Sequence, residues 1–184
     1  MRSKTLLFLP VLLLVVAGAF AQTAPPSADD VLKEATKTAA KEKKQVFVIF
    51  HASWCGWCHK MDEAMNDPAV KPYFDKNYVV RHLVVMEAKE KKDLENPGAT
   101  EFMAKYHGDN QGIPFWLIFD KKGKLVADSQ LRPEGAGLDQ PGQNTGCPAT
   151  PEEIGHFLKV LKQTSKLNDE EISAIEKRFK AIRG

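Results

Sequence analysis

The amino-acid sequence predicts an α/β domain built around a strand that is covered on both faces. The chain has 184 residues, 43% of them apolar, which is enough for one domain with a substantial core. Residues 46–50 form an uninterrupted run of β-branched and aromatic side chains, typical of a strand buried on both faces. Segments with helical spacing of apolar residues alternate with further strand candidates, and no internal repeat is visible.

The first 21 residues predict a secretory signal peptide. Arg2 and Lys4 precede an apolar stretch over residues 6–16, and small residues in an A-x-A pattern follow up to Ala21. The stretch is shorter than the roughly 18 to 20 residues that a membrane span needs, and Pro10 interrupts it. We therefore expect cleavage after Ala21, an exported protein in the periplasm or outside the cell, and no stable membrane span in the mature chain.

The formal net charge of +2 belongs to this leader. Cleavage removes Arg2 and Lys4 and leaves 24 basic and 24 acidic side chains. A neutral domain without a charged tail offers no electrostatic basis for binding nucleic acid. We expect no nucleic-acid partner, and we expect the protein to be a monomer.

The mature chain is expected to begin with a short mobile linker over residues 22–28, which contains two prolines, and the domain is expected over residues 29–184. Ser27 or Asp29 can cap a first helix that runs from about residue 30 to residue 44. The buried strand follows at once, because residues 46–50 come directly after this helix.

A second helix is expected to begin at Cys55, because four apolar residues follow at helical spacing: Cys58, Met61, Ala64 and Met65. The remaining elements are a short helix opened by Asp67 and Pro68, a strand over 78–86, a charged surface connection over 87–95, a helix over 100–106, a strand over 115–119, a hairpin loop over 120–124 with a returning strand from Leu125, a loop over 130–149, a helix capped by Thr150 and a last helix from Asn168.

Two cysteines lie three residues apart between the buried strand and the first turn of a helix. The unpaired N–H groups and the positive end of the helix dipole lower the pKa of a thiol at the first position below its free value of about 8.5. The second thiol lies one turn along, close enough to form and resolve a disulfide. Cys55 is therefore the expected attacking thiol and Cys58 the resolving thiol.

These residues resemble the thioredoxin superfamily. Residues 50–58, with Trp54 before the first cysteine and Gly56 after it, are similar to its strand end and active-site signature, and Ile113-Pro114 is similar to its cis-proline. The resemblance implies a central mixed sheet flanked by helices, with an extra C-terminal helix. It also implies a proline beside the disulfide that lets the preceding backbone pair with a substrate. Segments around Lys60 and over residues 67–70 resemble a subgroup of exported bacterial thioredoxin-like proteins.

The sequence departs from the thioredoxin pattern at two positions. The buried aspartate that assists proton transfer in thioredoxins is matched by Ile49, and Trp57 stands where thioredoxins have proline. His59 and Glu63 are the candidates for proton transfer, with His51 nearby in sequence, and a solvent-facing role is an equal alternative for each. Because the residues between the cysteines tune the redox potential, the direction of the reaction stays open, with reduction slightly favoured.

Two alternatives use the same cysteines differently. Residues 55–59 satisfy C-x-x-C-H, the attachment pattern of c-type haem, in which His59 would be one axial ligand. A second ligand would have to be a methionine that core packing also explains: Met61, Met65, Met86 or Met103. The cysteines with a histidine could instead carry copper or zinc, although no second C-x-x-C pair is present.

The preferred hypothesis is an exported thiol–disulfide oxidoreductase whose cofactor is only its own Cys55–Cys58 disulfide, with no metal. Its partners would be protein thiols or disulfides and an unidentified redox partner. Trp54, Trp57, Ile113 and Pro114 are the expected substrate contacts. The third cysteine, Cys147, lies in the loop; an unpaired thiol is the preferred interpretation, and an intermolecular link or an accessory thiol on the substrate side are the alternatives.

Overall fold

The computed structural model describes residues 24–183, so the predicted signal peptide over residues 1–21 lies outside the described part of the chain. Within residues 24–183, no helix has the length and apolar character needed to cross a bilayer. The elements are α1 Ala28–Glu42, β1 Gln45–His51, α2 Gly56–Met65, α3 Lys71–Asn77, β2 Tyr78–Val84, a 3₁₀ helix Lys89–Leu94, α4 Ala99–Ala104, β3 Phe115–Phe119, β4 Leu125–Asp128, β5 Gln130–Leu131, β6 Gln143–Asn144, α5 Pro151–Thr164 and α6 Asp169–Lys180.

The central sheet has the strand order β2-β1-β3-β4. β1 pairs parallel with β2 and antiparallel with β3, and β3 pairs antiparallel with β4. The predicted mixed sheet is therefore confirmed. β1 lies between two strands and is covered on both faces, which explains why its sequence is apolar at successive positions rather than at alternate ones.

Alternate side chains of β1 enter two separate parts of the core. Phe47 and Ile49 pack on the face covered by α2, α3, α5 and α6, while Val46, Val48 and Phe50 pack on the face covered by α1 and α4. The predicted C-terminal helix is α6, which is capped by Asn168 and packs against α5. α5 and α6 cover one face of the sheet, and α2, which begins at the cysteines, packs on that same face.

The predicted mobile linker over residues 22–28 extends one residue too far, into the first helix. Ala28 is the first residue of α1, it is buried, and its N–H donates to the carbonyl oxygen of Pro97 at 2.9 Å. Ser27, and not Asp29, is the N-cap, because the side chain of Ser27 accepts the N–H of Asp30.

The prediction that residues 130–149 form only a loop is also wrong in part. β5 and β6 form a two-stranded antiparallel sheet in which Gln130 pairs with Asn144. A buried ion pair holds the start of this segment, because Arg132 binds both carboxylate oxygens of Asp128 at 2.8 and 2.7 Å. The segment is therefore attached to the end of β4 by a specific polar contact.

Candidate active site

The two cysteines form a disulfide at the N-terminus of α2. Cys55 is the N-cap residue, and the N–H of Cys58 points to Cys55 Sγ at 3.1 Å. The turn that leads into the helix is closed by a hydrogen bond from the Cys55 N–H to the Ala52 carbonyl, one residue beyond β1. Both cysteines are buried against Ala52 and Ile113. The end of β1 thus places the disulfide at the positive end of the α2 helix dipole.

The peptide bond between Ile113 and Pro114 is cis, as the resemblance implies. Ile113 O lies 3.5 Å from Cys55 Sγ, which places this bend directly beside the disulfide. The side-chain amide of Asn144 on β6 donates to the carbonyl oxygens of Gly112 and Pro114 at 2.6 and 3.1 Å. The segment over residues 130–149 therefore holds the bend that borders the disulfide.

Three of the four residues predicted to bind substrate line one cleft. This cleft of about 280 Å³ contains Trp57, Ile113, Pro114 and Cys147. Trp57 is 44% exposed, so its indole offers apolar surface to an incoming chain. Trp54 is 59% exposed but does not line this cleft, and its indole N–H donates to Met86 O at 2.7 Å. The substrate contacts stay predictions.

The structure places the two candidates for proton transfer on the surface. His59 is exposed, and its Nε2 lies 3.0 Å from the backbone oxygen of Ser53. Glu63 is exposed one turn further along α2. Ile49, which occupies the position of the thioredoxin aspartate, is buried among apolar side chains. Proton transfer by His59 or Glu63 stays a prediction.

Glu87 is a residue of the site that the sequence did not reveal. The charged stretch was predicted to lie on the surface, yet Glu87 is only 5% exposed, and its carboxylate accepts the N–H and the hydroxyl of Ser53 at 2.5 and 2.8 Å. Burial acts to raise the pKa of the Glu87 carboxyl, but the hydrogen bonds from Ser53 and the charge of Lys91 outweigh it, so the pKa lies below its ordinary value. The ionised carboxylate of Glu87 therefore holds Ser53, which lies two residues before Cys55, in place.

The two cysteines that the metal and haem alternatives require are joined to each other in this structure. Within residues 24–183, no group of three or more His, Cys, Asp or Glu side chains is arranged to hold a metal ion. Haem attachment requires both cysteine sulfurs as thioethers, and a disulfide uses the same two sulfurs. A Soret band in the purified protein would identify the haem form.

A mixed sheet with helices on both faces, a C-x-x-C disulfide at a helix N-terminus and a cis-proline beside it define a thioredoxin-fold redox protein. The family model described as thioredoxin-like matches residues 28–121, and the chain belongs to this family. The family, the fold and the disulfide of Cys55 and Cys58 confirm the prediction of a thiol–disulfide oxidoreductase.

Several solved structures are similar to this chain at low sequence identity. A disulphide isomerase from Xylella fastidiosa Temecula1 is 18% identical, with a TM-score of 0.47, covering 89% of this chain and 100% of its own. The C-terminal domain of DsbD from Neisseria meningitidis, in its oxidised form, is 18% identical, with a TM-score of 0.41, covering 77% of this chain and 99% of its own. No curated protein matches the chain significantly.

The third cysteine is expected to react slowly in the folded protein. Cys147 is a buried free thiol, and burial, assisted by the Glu153 carboxylate, raises its pKa to about 12. In the reduced native protein at neutral pH, iodoacetamide should label Cys55 first and Cys147 only after denaturation. Peptide mapping by mass spectrometry measures this order, and labelling of Cys147 as fast as Cys55 would contradict the burial of its thiol.

Proposed function

We propose that the protein is an exported oxidoreductase that reduces disulfides in protein substrates through Cys55 and Cys58. The observation that carries the proposal is the position of the disulfide, at the start of α2 and beside the cleft that contains Trp57 and the cis bond before Pro114. An extended substrate segment can enter such an open cleft, where the apolar surface of Trp57 supports binding.

The reaction proceeds in two exchanges of sulfur. In the reduced protein, the Cys55 thiolate attacks one sulfur of the substrate disulfide, forms a mixed disulfide and expels the other substrate sulfur as a thiolate. Cys58 then loses its proton and attacks Cys55 Sγ, which forms the Cys55–Cys58 disulfide and releases the second substrate thiolate. The protein has lost two electrons and the substrate has gained two. A separate dithiol partner must return two electrons before the next cycle.

The charge of Glu87 supports reduction as the direction of this exchange. A carboxylate held close to the active-site segment by Ser53 disfavours a thiolate at Cys55, whereas a cation would favour it. If the thiolate stabilises the reduced form less, the reduction potential of the disulfide is lower, and the dithiol donates its electrons more readily. The buried negative charge therefore makes the dithiol a better reductant.

Export is supported by the sequence of the leader. Arg2 and Lys4, the apolar residues 6–16 and the small residues before Gln22 have the order of a cleaved signal peptide. A chain expressed with its own leader in a bacterial host is expected to yield a product that begins at Gln22, as measured by its intact mass.

The direction is tested with the mature chain and a disulfide-bonded protein substrate. The reduced protein is expected to release substrate thiols faster than the oxidised protein inserts disulfides into the reduced substrate, with both rates measured by thiol titration. Faster oxidation than reduction would overturn the proposed direction. No exchange in either assay would overturn the proposed function itself.

The variant Glu87→Gln tests the role assigned to the carboxylate. Glutamine keeps the volume and one acceptor for Ser53 but removes the charge, so Cys55 should be alkylated about threefold to tenfold faster at neutral pH, and reduction should become less favourable. Glu90→Gln is the matched control, because Glu90 is exposed on the neighbouring 3₁₀ helix. Equal alkylation rates in Glu87→Gln and Glu90→Gln would contradict the proposed effect of the Glu87 charge on the Cys55 thiolate.

A further inference from the structure

Two histidines from neighbouring strands meet at the edge of the active site. His51 is the last residue of β1, and His82 lies on the parallel strand β2. Their ring centroids are 4.9 Å apart with the planes inclined at 61°. Nε2 of His82 lies 2.8 Å from Oδ1 of Asp62 on α2, so the carboxylate fixes the orientation of that ring. Three elements therefore contribute to one half-buried titratable cluster.

The cluster lies under the helix that carries the disulfide. His51 follows Phe47 and Ile49 in the alternation of β1, and these side chains occupy the face of the sheet that α2 covers. Asp62 lies four residues after Cys58 and thus on the same side of α2. Ala52, the residue after His51, packs against both cysteines. The imidazoles therefore lie between the strand ends and the first turns of α2.

The charges around His51 come from every element packed against it. His82 faces it from β2, Asp62 and His59 from α2, and Glu87 from the segment after β2. Burial lowers the pKa of the His51 imidazole below 6.5 and His82 lowers it further, while Asp62 and Glu87 act in the opposite direction without reversing the shift. His51 is therefore mostly neutral at neutral pH and gains its charge only at a lower pH than a free imidazole does.

We propose that His51, held in place by the His82 ring, is a positioning residue whose protonation stabilises the Cys55 thiolate and so sustains thiol exchange in acidic solution. A cation near a thiol lowers the energy of the thiolate, and the effect is strong in a partly buried site. The His51 imidazole supplies this charge only where acid would otherwise protonate the thiol. The inference rests on the proposed function, because it concerns the same redox pair.

The expected signature is a pH profile. In the reduced wild-type protein, the rate of alkylation of Cys55 should fall less steeply between about pH 7 and about pH 5 than the titration of a single thiol requires. His51→Gln should restore the single titration, with a rate about threefold to tenfold lower near pH 5 and an unchanged rate near pH 9, where the imidazole is neutral. A structural role alone would change the rate at both values of pH.

His82→Gln keeps the test decisive if His51→Gln folds poorly, because His82 lies on the open edge strand and is about one-third exposed. Because His82 lowers the pKa of His51, its removal should let His51 gain its charge at a higher pH, and the shallow part of the profile should extend toward neutral pH. His107→Asn is the control, because His107 is also partly exposed and its Nε2 lies 3.0 Å from Asp139 O, outside the cluster. For His51→Gln, equal losses at both values of pH, or none, would overturn the inference, and so would an unchanged profile for His82→Gln. Alkylation does not require a substrate, so absence of disulfide reduction by the wild type would instead count against the proposed function.

Discussion

Replacing Cys55 by serine is expected to lower the rate of protein-disulfide reduction by about a thousandfold or more. A serine hydroxyl is not ionised at neutral pH and cannot form the mixed disulfide, so the first exchange of sulfur is lost. The side chain is nearly isosteric, and Ser is a favourable N-cap residue for α2. The fold should therefore be retained.

The measurement is the release of substrate thiols by the reduced mature chain, with circular dichroism and thermal unfolding as checks on folding. The reduced wild type is the reference, because the serine variant cannot form the Cys55–Cys58 disulfide. A variant that keeps more than about a tenth of the wild-type rate would show that another group attacks the substrate.

The largest expected loss of stability comes from Arg132→Met. Asp128 is 1% exposed, and its carboxylate accepts both bonds of the Arg132 guanidinium as well as the N–H of Gln130. Removal of the guanidinium leaves a buried carboxylate without a countercharge, which costs about 3 to 5 kcal/mol of the free energy of unfolding. Chemical denaturation of the oxidised protein measures this loss.

Two further variants separate the buried charge from other causes. Lys162→Met removes an ion pair with Asp169 in which both side chains are mostly exposed, and its cost should stay below about 1 kcal/mol. Adding Asp128→Asn to Arg132→Met should recover part of the loss, because asparagine keeps an acceptor for Gln130 without a charge. A loss for Arg132→Met no larger than for Lys162→Met would show that the ion pair does not anchor this segment.

This anchor also has a functional consequence. The segment that begins at Arg132 returns through β6, where Asn144 binds the carbonyl oxygens on either side of Ile113. The cis bond and the cleft beside the disulfide are thus held by a segment that the Asp128–Arg132 pair helps to attach. Variants that release this pair should therefore weaken substrate binding as well as stability.

Local sequence patterns predicted the parts of the fold that depend on local interactions. The apolar run of β1 follows from burial on both faces, and the position of Cys55 at the start of α2 follows from helical spacing alone. The cap of α5 at Thr150 was predicted for the same reason, since its side chain accepts the N–H of Glu153, only three residues away.

The contacts that were missed join residues far apart in the chain. Glu87 looks like part of a solvated charged stretch until the chain brings it to Ser53, 34 residues away. His51 and His82 meet only because β1 and β2 pair in parallel, with Ile49 opposite His82. β5 and β6 are too short for a periodic pattern to indicate them. Such contacts depend on strand register and packing, which local spacing does not encode.

The central claim is that Cys55 attacks and Cys58 resolves, and trapping with Cys58→Ala tests it most directly. Without the resolving thiol, the mixed disulfide at Cys55 should accumulate when the reduced variant meets a disulfide-bonded protein. Peptide mapping should find the substrate joined to Cys55, released by reductant, and absent from the double variant Cys55→Ser/Cys58→Ala. Covalent complexes joined through Cys147, or no complexes at all from a folded variant, would contradict the account.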